Sequence, residues 1–330
     1  MRIRSSGTGQ HDSPPDEQHS PLDAYGSVGR SEWMDIDWSK HLRWLNVDGS
    51  WINVLDIGEG PAILFIHGLS GCWQNWLENL PLFAHDHRVI AVDLPGFGES
   101  EMPVDPISIS GYARTVNALF EPLELESAVV VGNSMGGFVG LEMAICFPPR
   151  VERLCLVGAA GLSIEHLRTE RTRGIRHRAE NVAFFYVAWL STRSPGLMAR
   201  PRPRQMVLKL VAAHPERLPG ALVVEQVGGA GKDGFAGALE ALTCYPIRDR
   251  LCEIACPTLI VWGDKDILVP VKDAAEFERL ISDSRKVIYQ DTGHIPMLER
   301  PARFNADLRA FLEERPGEQT PVAQTRSFAA

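Results

Sequence analysis

The chain has 330 residues, 45% of them hydrophobic and 23% charged, which suits one large globular domain with an insertion, or two ordinary domains. A formal charge of -9 and a pI near 5.6 exclude a global basic footprint for nucleic acid. No run of about 18 apolar residues occurs, so no transmembrane helix is expected, and the first thirty residues lack the apolar core of a signal peptide.

The acidic excess is uneven, because Leu162 to Pro219 holds eleven Lys or Arg against four Glu. Six cysteines are scattered, and Cys252 and Cys256 have no histidine nearby to complete a zinc set. Reduced thiols in a cytoplasmic protein are the expectation.

Residues 1–32 are rich in Ser, Gly, Pro and Asp and read as a disordered tail, as do residues 316–330. His41–Val47 and Trp51–Ile57 alternate apolar and polar residues around Asp48-Gly49, which predicts a hairpin with a tight turn. Ala62–His67 and Arg88–Asp93 are short apolar runs of the kind found in buried parallel strands. Trp73–Phe83 has helical spacing, and Tyr112–Leu123 is a second helix. Strand Ala128–Gly132, helix Met135–Phe147 and strand Val151–Gly158 follow.

The alternation then stops. Residues 161–250 are Arg-rich, helical in pattern and broken by prolines, which reads as an inserted helical cap. It resumes with strand Thr258–Gly263, helix Val271–Ile281, strand Lys286–Gln290 and helix Ala302–Glu313. Strands alternating with helices imply an α/β fold whose mostly parallel sheet carries helices on both faces, built from residues 33–160 and 251–315.

Four strand ends carry the residues of a chemical site. Gly132-Asn133-Ser134-Met135-Gly136 joins a β-branched run to a helix. Acyl transfer needs an exposed hydroxyl in a strained strand-to-helix turn, and glycines two before and two after the serine remove the Cβ atoms that would clash. The turn sets the Met135 N–H at a helix N-terminus, where it can face a developing oxyanion. His67-Gly68-Leu69 ends an earlier strand, and a loop curling at Gly68 lets the Leu69 N–H supply a second donor. Gly263-Asp264-Lys265-Asp266 ends a later strand, where either aspartate could orient a histidine. Thr292-Gly293-His294 follows the last strand, and His294 is the candidate base for the Ser134 hydroxyl.

These residues give the chain a resemblance to the α/β-hydrolase superfamily from about Leu42 to Leu312, carried by His67-Gly68, Asp93-Leu94-Pro95-Gly96-Phe97-Gly98, the Ser134 motif, the Gly263 to Pro270 turn and Gly293-His294. The resemblance implies a triad in the chain order Ser134, Asp266, His294, with Asp266 in the family's acid turn. It implies an oxyanion hole from the Leu69 and Met135 N–H groups, and a cap between the sixth and seventh core strands. Serine at 134 points away from the branches with an aspartate nucleophile and toward ester, thioester, lactone, C–C bond and perhydrolase chemistry. Gly132 to Gly137 with Trp73-Gln74-Asn75-Trp76 is similar to the meta-cleavage-product C–C hydrolases, which tend to carry tryptophan where this chain has Ile295. Gly293-His294-Ile295-Pro296 looks like the general esterase and perhydrolase pattern.

The expected activity is therefore hydrolysis of a small carboxylic ester or related acyl substrate, without metal or organic cofactor. C–C bond hydrolysis and perhydrolase or acyltransferase chemistry are the alternatives. Gly68, Trp73, Asn75 and Ile295, with Phe184 and Trp189 of the cap, are the candidate pocket residues. The five arginines between Arg168 and Arg178 read as a solvated helix face, with an acidic substrate, an anionic membrane surface or an acidic partner protein as the alternatives.

Overall fold

The computed structural model describes residues 21–163, 201–229 and 231–314. Eight strands form one sheet, β1 (Leu42–Val47), β2 (Ser50–Ile57), β3 (Ala62–Ile66), β4 (Arg88–Val92), β5 (Ala128–Asn133), β6 (Val151–Val157), β7 (Thr258–Gly263) and β8 (Ser284–Tyr289), in the order β1-β2-β4-β3-β5-β6-β7-β8. β1 and β2 run antiparallel, β2 is antiparallel to β4, and every later pairing is parallel.

The hairpin turn follows from its residues. Asp48 and Gly49 both take positive φ, 48° and 87°, the mirror-image turn whose twist matches the flanking strands. The central strands β3, β4 and β5 are buried almost throughout, since helices cover both faces.

The described helices are α1 (Leu80–Ala84), α2 (Ile109–Ala118), α3 (Met135–Cys146), α4 (Pro201–Leu208), α5 (Gly220–Gly228), α6 (Phe235–Cys244), α7 (Lys272–Leu280), α8 (Pro296–Glu299) and α9 (Pro301–Glu313). Two apolar clusters lie on opposite faces of the sheet. One joins α2, α3 and α7 to the sheet through Tyr112, Phe138 and Phe277, and the other joins α1 and α9 through Phe83, Phe304 and Phe311. α4, α5 and α6 belong to the insertion between β6 and β7. No described helix is long and apolar enough to cross a membrane.

Two expectations need correction. The single helix expected over Trp73–Phe83 is a 3-10 turn, Trp73–Trp76, followed by α1. Pro81 lacks the N–H that a continuous helix would need and suits only a helix start, so α1 begins afresh with the Asn79 carbonyl accepting from the Phe83 N–H at 3.4 Å. Order also begins before Trp33. Tyr25 is buried, the Gly26 N–H donates 2.7 Å to the Glu299 carbonyl, and Arg303 pairs with Asp23 at 2.6 Å. Composition made residues 21–32 look like tail because Arg303 and Glu299, which bond Asp23, Tyr25 and Gly26, lie more than 270 residues away.

Candidate active site

The sheet order reverses between β3 and β5, since the chain leaves β3 for β4 on one side and returns as β5 on the other. The carboxyl ends of the strands flanking such a reversal leave a crevice, the usual ligand position in open α/β sheets. Gly68 and Leu69 follow β3 there, and Ser134 follows β5.

Ser134 takes φ 53° and ψ −113° between β5 and α3, a region that costs a residue with a Cβ of order 1–3 kcal/mol. The surrounding turn holds it there. The Ser134 N–H donates 2.9 Å to the Val157 carbonyl, and its own carbonyl accepts from Ala160 at 3.0 Å. Glycine at 136 is a packing requirement, because a Cβ there would lie 2.1 Å from the Ile66 carbonyl oxygen. α3 thereby starts hard against the end of β3. A Cβ on Gly68 would stand 3.1 Å from the Ser134 Cβ, so the loop after β3 lies directly beside the serine.

Asp266 and His294 meet from loops after β7 and β8. His294 Nδ1 lies 2.7 Å from Asp266 Oδ2, with both side chains buried. Asp266 Oδ1 accepts from the Leu268 and Val269 N–H groups, each at 2.9 Å. Asp264, which the sequence left in competition, accepts from the Thr292 N–H at 3.3 Å. Asn133 joins the serine turn to the histidine loop by donating to the Val157 carbonyl at 2.9 Å and the His294 carbonyl at 3.2 Å. The pair is thus sheltered from water and oriented, the arrangement that holds a neutral imidazole in one tautomer and stabilises it when protonated.

His67 organises the loop that carries Leu69. The Leu94 N–H donates to His67 Nε2 at 2.9 Å, so the ring proton sits on Nδ1, which faces the Gly68 carbonyl at 2.7 Å. Burial pushes the His67 pKa below its usual 6.5, although the neighbouring Asp93 carboxylate pulls the other way. A ring kept neutral in the fold but free to protonate when unfolded favours the native state above pH 6.5, and that support is lost as the pH falls through 6.5 toward the lower folded value. The urea midpoint should therefore drop more between about pH 7.5 and 5.5 in the wild type than in His67→Gln. Parallel slopes would rule this account out.

The candidate pocket residues fare differently. Trp73 is buried, with its indole against Trp38 at 5.3 Å between centroids, and its backbone N–H donates to Asp93 at 2.7 Å. Asn75 donates to Gln226 of α5 at 2.7 Å, and Gln226 returns a bond to the Gln74 carbonyl at 2.9 Å. Asn75 therefore ties the loop after β3 to the insertion. Ile295 is buried beside His294. Phe184, Trp189 and the five arginines lie outside the described residues. A cavity of about 400 Å³ between Trp33, Leu77 and Arg309 is lined by none of the residues at the strand ends.

The residue that the sequence reading missed is Glu299. It is fully buried, and its carboxylate accepts from the Gly293 N–H at 2.9 Å, the Ile295 N–H at 3.3 Å, the Ala213 N–H at 2.8 Å and the Tyr25 hydroxyl at 2.5 Å. A glutamate five residues after the histidine in an otherwise apolar stretch was the available signal.

Residues 61–301 match the family described as alpha/beta hydrolase fold. The chain is 30% identical over 276 residues to the dihydrolipoyllysine-residue acetyltransferase component of an acetoin cleaving system from Pseudomonas putida, covering 83% of this chain and 67% of the relative. It is 30% identical over 274 residues to 2-hydroxy-6-oxo-6-phenylhexa-2,4-dienoate hydrolase of Comamonas testosteroni, covering 80% and 92%. Among solved structures it is similar to a bacterial membrane phospholipase A, with TM-score 0.66, 27% identity and coverage of 82% of this chain and 85% of that one. A serine hydrolase of carbazole degradation aligns with TM-score 0.64 and 26% identity over 83% and 99%. The matched span and the strand order together make this chain a member of the α/β-hydrolase family.

Proposed function

We propose that the chain is a serine hydrolase that cleaves a small carboxylic ester or related acyl substrate through an acyl-enzyme on Ser134. The observation that carries the reading is the buried His294–Asp266 pair at 2.7 Å, joined through Asn133 to the strained turn that presents Ser134.

With Asp266 on Nδ1, the imidazole has Nε2 free to accept the Ser134 proton. The hydroxyl oxygen attacks the acyl carbon, and the carbonyl oxygen gains negative charge. The N–H groups of Leu69 and Met135 are its donors in this reading. Protonated His294 returns the proton to the leaving alcohol. Water then enters and attacks the acyl carbon as it gives a proton to His294; the bond to the Ser134 oxygen breaks, the acid is released, and His294 passes the proton to that oxygen, which restores Ser134. Each step uses side chains and backbone amides of this chain.

C–C bond hydrolysis is the second reading, favoured by the similarity to the Comamonas testosteroni dienoate hydrolase. A panel of p-nitrophenyl esters of graded acyl length, with a yellow ring-cleavage dienolate included, separates the two. Ester hydrolysis with a pre-steady-state burst and slow bleaching of the dienolate is the expected result. Rapid bleaching with negligible ester turnover would reverse the assignment, and no turnover of either would overturn both.

A further inference from the structure

We propose that Tyr25 and Glu299 are positioning residues for His294, which make the histidine's place depend on the N-terminal strap and on residues 211–214, midway along the insertion. The inference rests on the triad reading above. Three stretches far apart in sequence converge on one carboxylate. From the histidine loop come the Gly293 and Ile295 N–H groups, which flank His294 on both sides. From the insertion comes the Ala213 N–H, and from the strap the Tyr25 hydroxyl. The same hydroxyl accepts from the His214 N–H at 2.8 Å, so Tyr25 bridges the strap to the insertion as well as to Glu299. Burial and the Glu299 carboxylate push the Tyr25 phenol well above its usual range, which keeps it a donor at neutral pH.

The insertion also touches the histidine's backbone directly. The His294 N–H donates to the Val211 carbonyl at 2.7 Å, and a Cβ on Gly293 would lie 2.8 Å from both the Ala213 nitrogen and the Val211 carbonyl oxygen. Glycine precedes the histidine because residues 211–213 pass against it. The Tyr25 ring is clamped between the guanidinium groups of Arg217, from the insertion, and Arg300, next to Glu299, at 4.6 and 4.8 Å from its centroid. The carboxylate therefore serves as the shared acceptor for the amides on either side of His294. Glutamine in its place brings an NH2 group toward N–H donors, so at least one of them loses its acceptor and the loop shifts. Displacement of a reacting group by about 1 Å can cost on the order of a hundredfold in rate.

The test uses Tyr25→Phe, Glu299→Gln and the double variant in the full chain, with Ser134→Ala in parallel. The probe is p-nitrophenyl butyrate, and a fluorophosphonate titrates reactive serine so that rates refer to folded sites. Glu299→Gln should lower kcat per titrated site about 100-fold with KM within about threefold, and Tyr25→Phe about tenfold. The two effects should be non-additive in the double variant, because both act through one carboxylate. A purely structural role would lower the melting temperature and leave kcat per titrated site unchanged, and that result overturns the proposal. Tyr25→Phe, which keeps the ring, decides the matter if Glu299→Gln does not fold. Full activity in Ser134→Ala would instead bring down the triad reading.

Discussion

Replacing Ser134 by alanine should lower kcat on p-nitrophenyl butyrate by about 10⁶ and abolish the burst, while thermal stability stays within about 1 kcal/mol of wild type. The magnitude follows from what a nucleophile does: without it the acyl-enzyme route is closed, and only binding and oxyanion stabilisation remain. Stability should hold because the turn is set by backbone bonds from Ser134 to Val157 and Ala160, and by the close packing of Gly136 on Ile66, none of which uses the hydroxyl. Alanine accepts the left-handed φ no worse than serine. The measurement is stopped-flow release of p-nitrophenolate. Retention of even a tenth of the wild-type rate would exclude Ser134 as nucleophile.

Asp266→Asn should cost about 10⁴ in kcat, more than loss of one charge would suggest. The reason lies on the far side of the carboxylate. Oδ1 accepts from the N–H groups of Leu268 and Val269. An asparagine must keep its carbonyl oxygen toward those two donors, because turning its NH2 group there would leave buried amides facing one another. Its NH2 then faces His294 Nδ1, which has to become an acceptor. The ring proton moves to Nε2, the nitrogen that must take the proton of Ser134, and the base is lost. Asp264→Asn is the control: its carboxylate accepts from the Thr292 N–H and pairs with Lys265 at 3.5 Å, away from the His294 ring, so kcat should change by no more than about threefold. Steady-state kinetics of both variants at neutral pH checks the contrast, and comparable losses would contradict it.

The contrast also marks where local sequence stops being informative. Asp264 and Asp266 lie in one tight turn after the same strand, and residue chemistry alone does not separate them; only the resemblance to the family's acid turn singled out Asp266. The choice depends on His294, 28 positions further on. Glu299 and Tyr25 are a stronger instance, since their bond spans 274 positions. A tyrosine in a polar leader looks like any other until its partner is in place. Asn75, a candidate pocket residue in the loop after β3, also hydrogen-bonds a side-chain amide 151 residues away, a partner that nothing in its local sequence indicates.

What the sequence determined alone is what depends on a few adjacent residues. The unbroken apolar runs of β3, β5 and β7 specify strands buried on both faces. Asp48-Gly49 specifies a mirror-image turn, and the glycines around Ser134 specify a strained strand-to-helix corner, because backbone sterics act over two to five residues. What tertiary structure decided is where the N-terminal segment docks, which donors surround the Asp266 and Glu299 carboxylates and what holds the histidine loop. Those outcomes follow from hydrogen bonds between stretches that only the closed sheet brings together, and a buried donor takes the acceptor that the fold sets within reach.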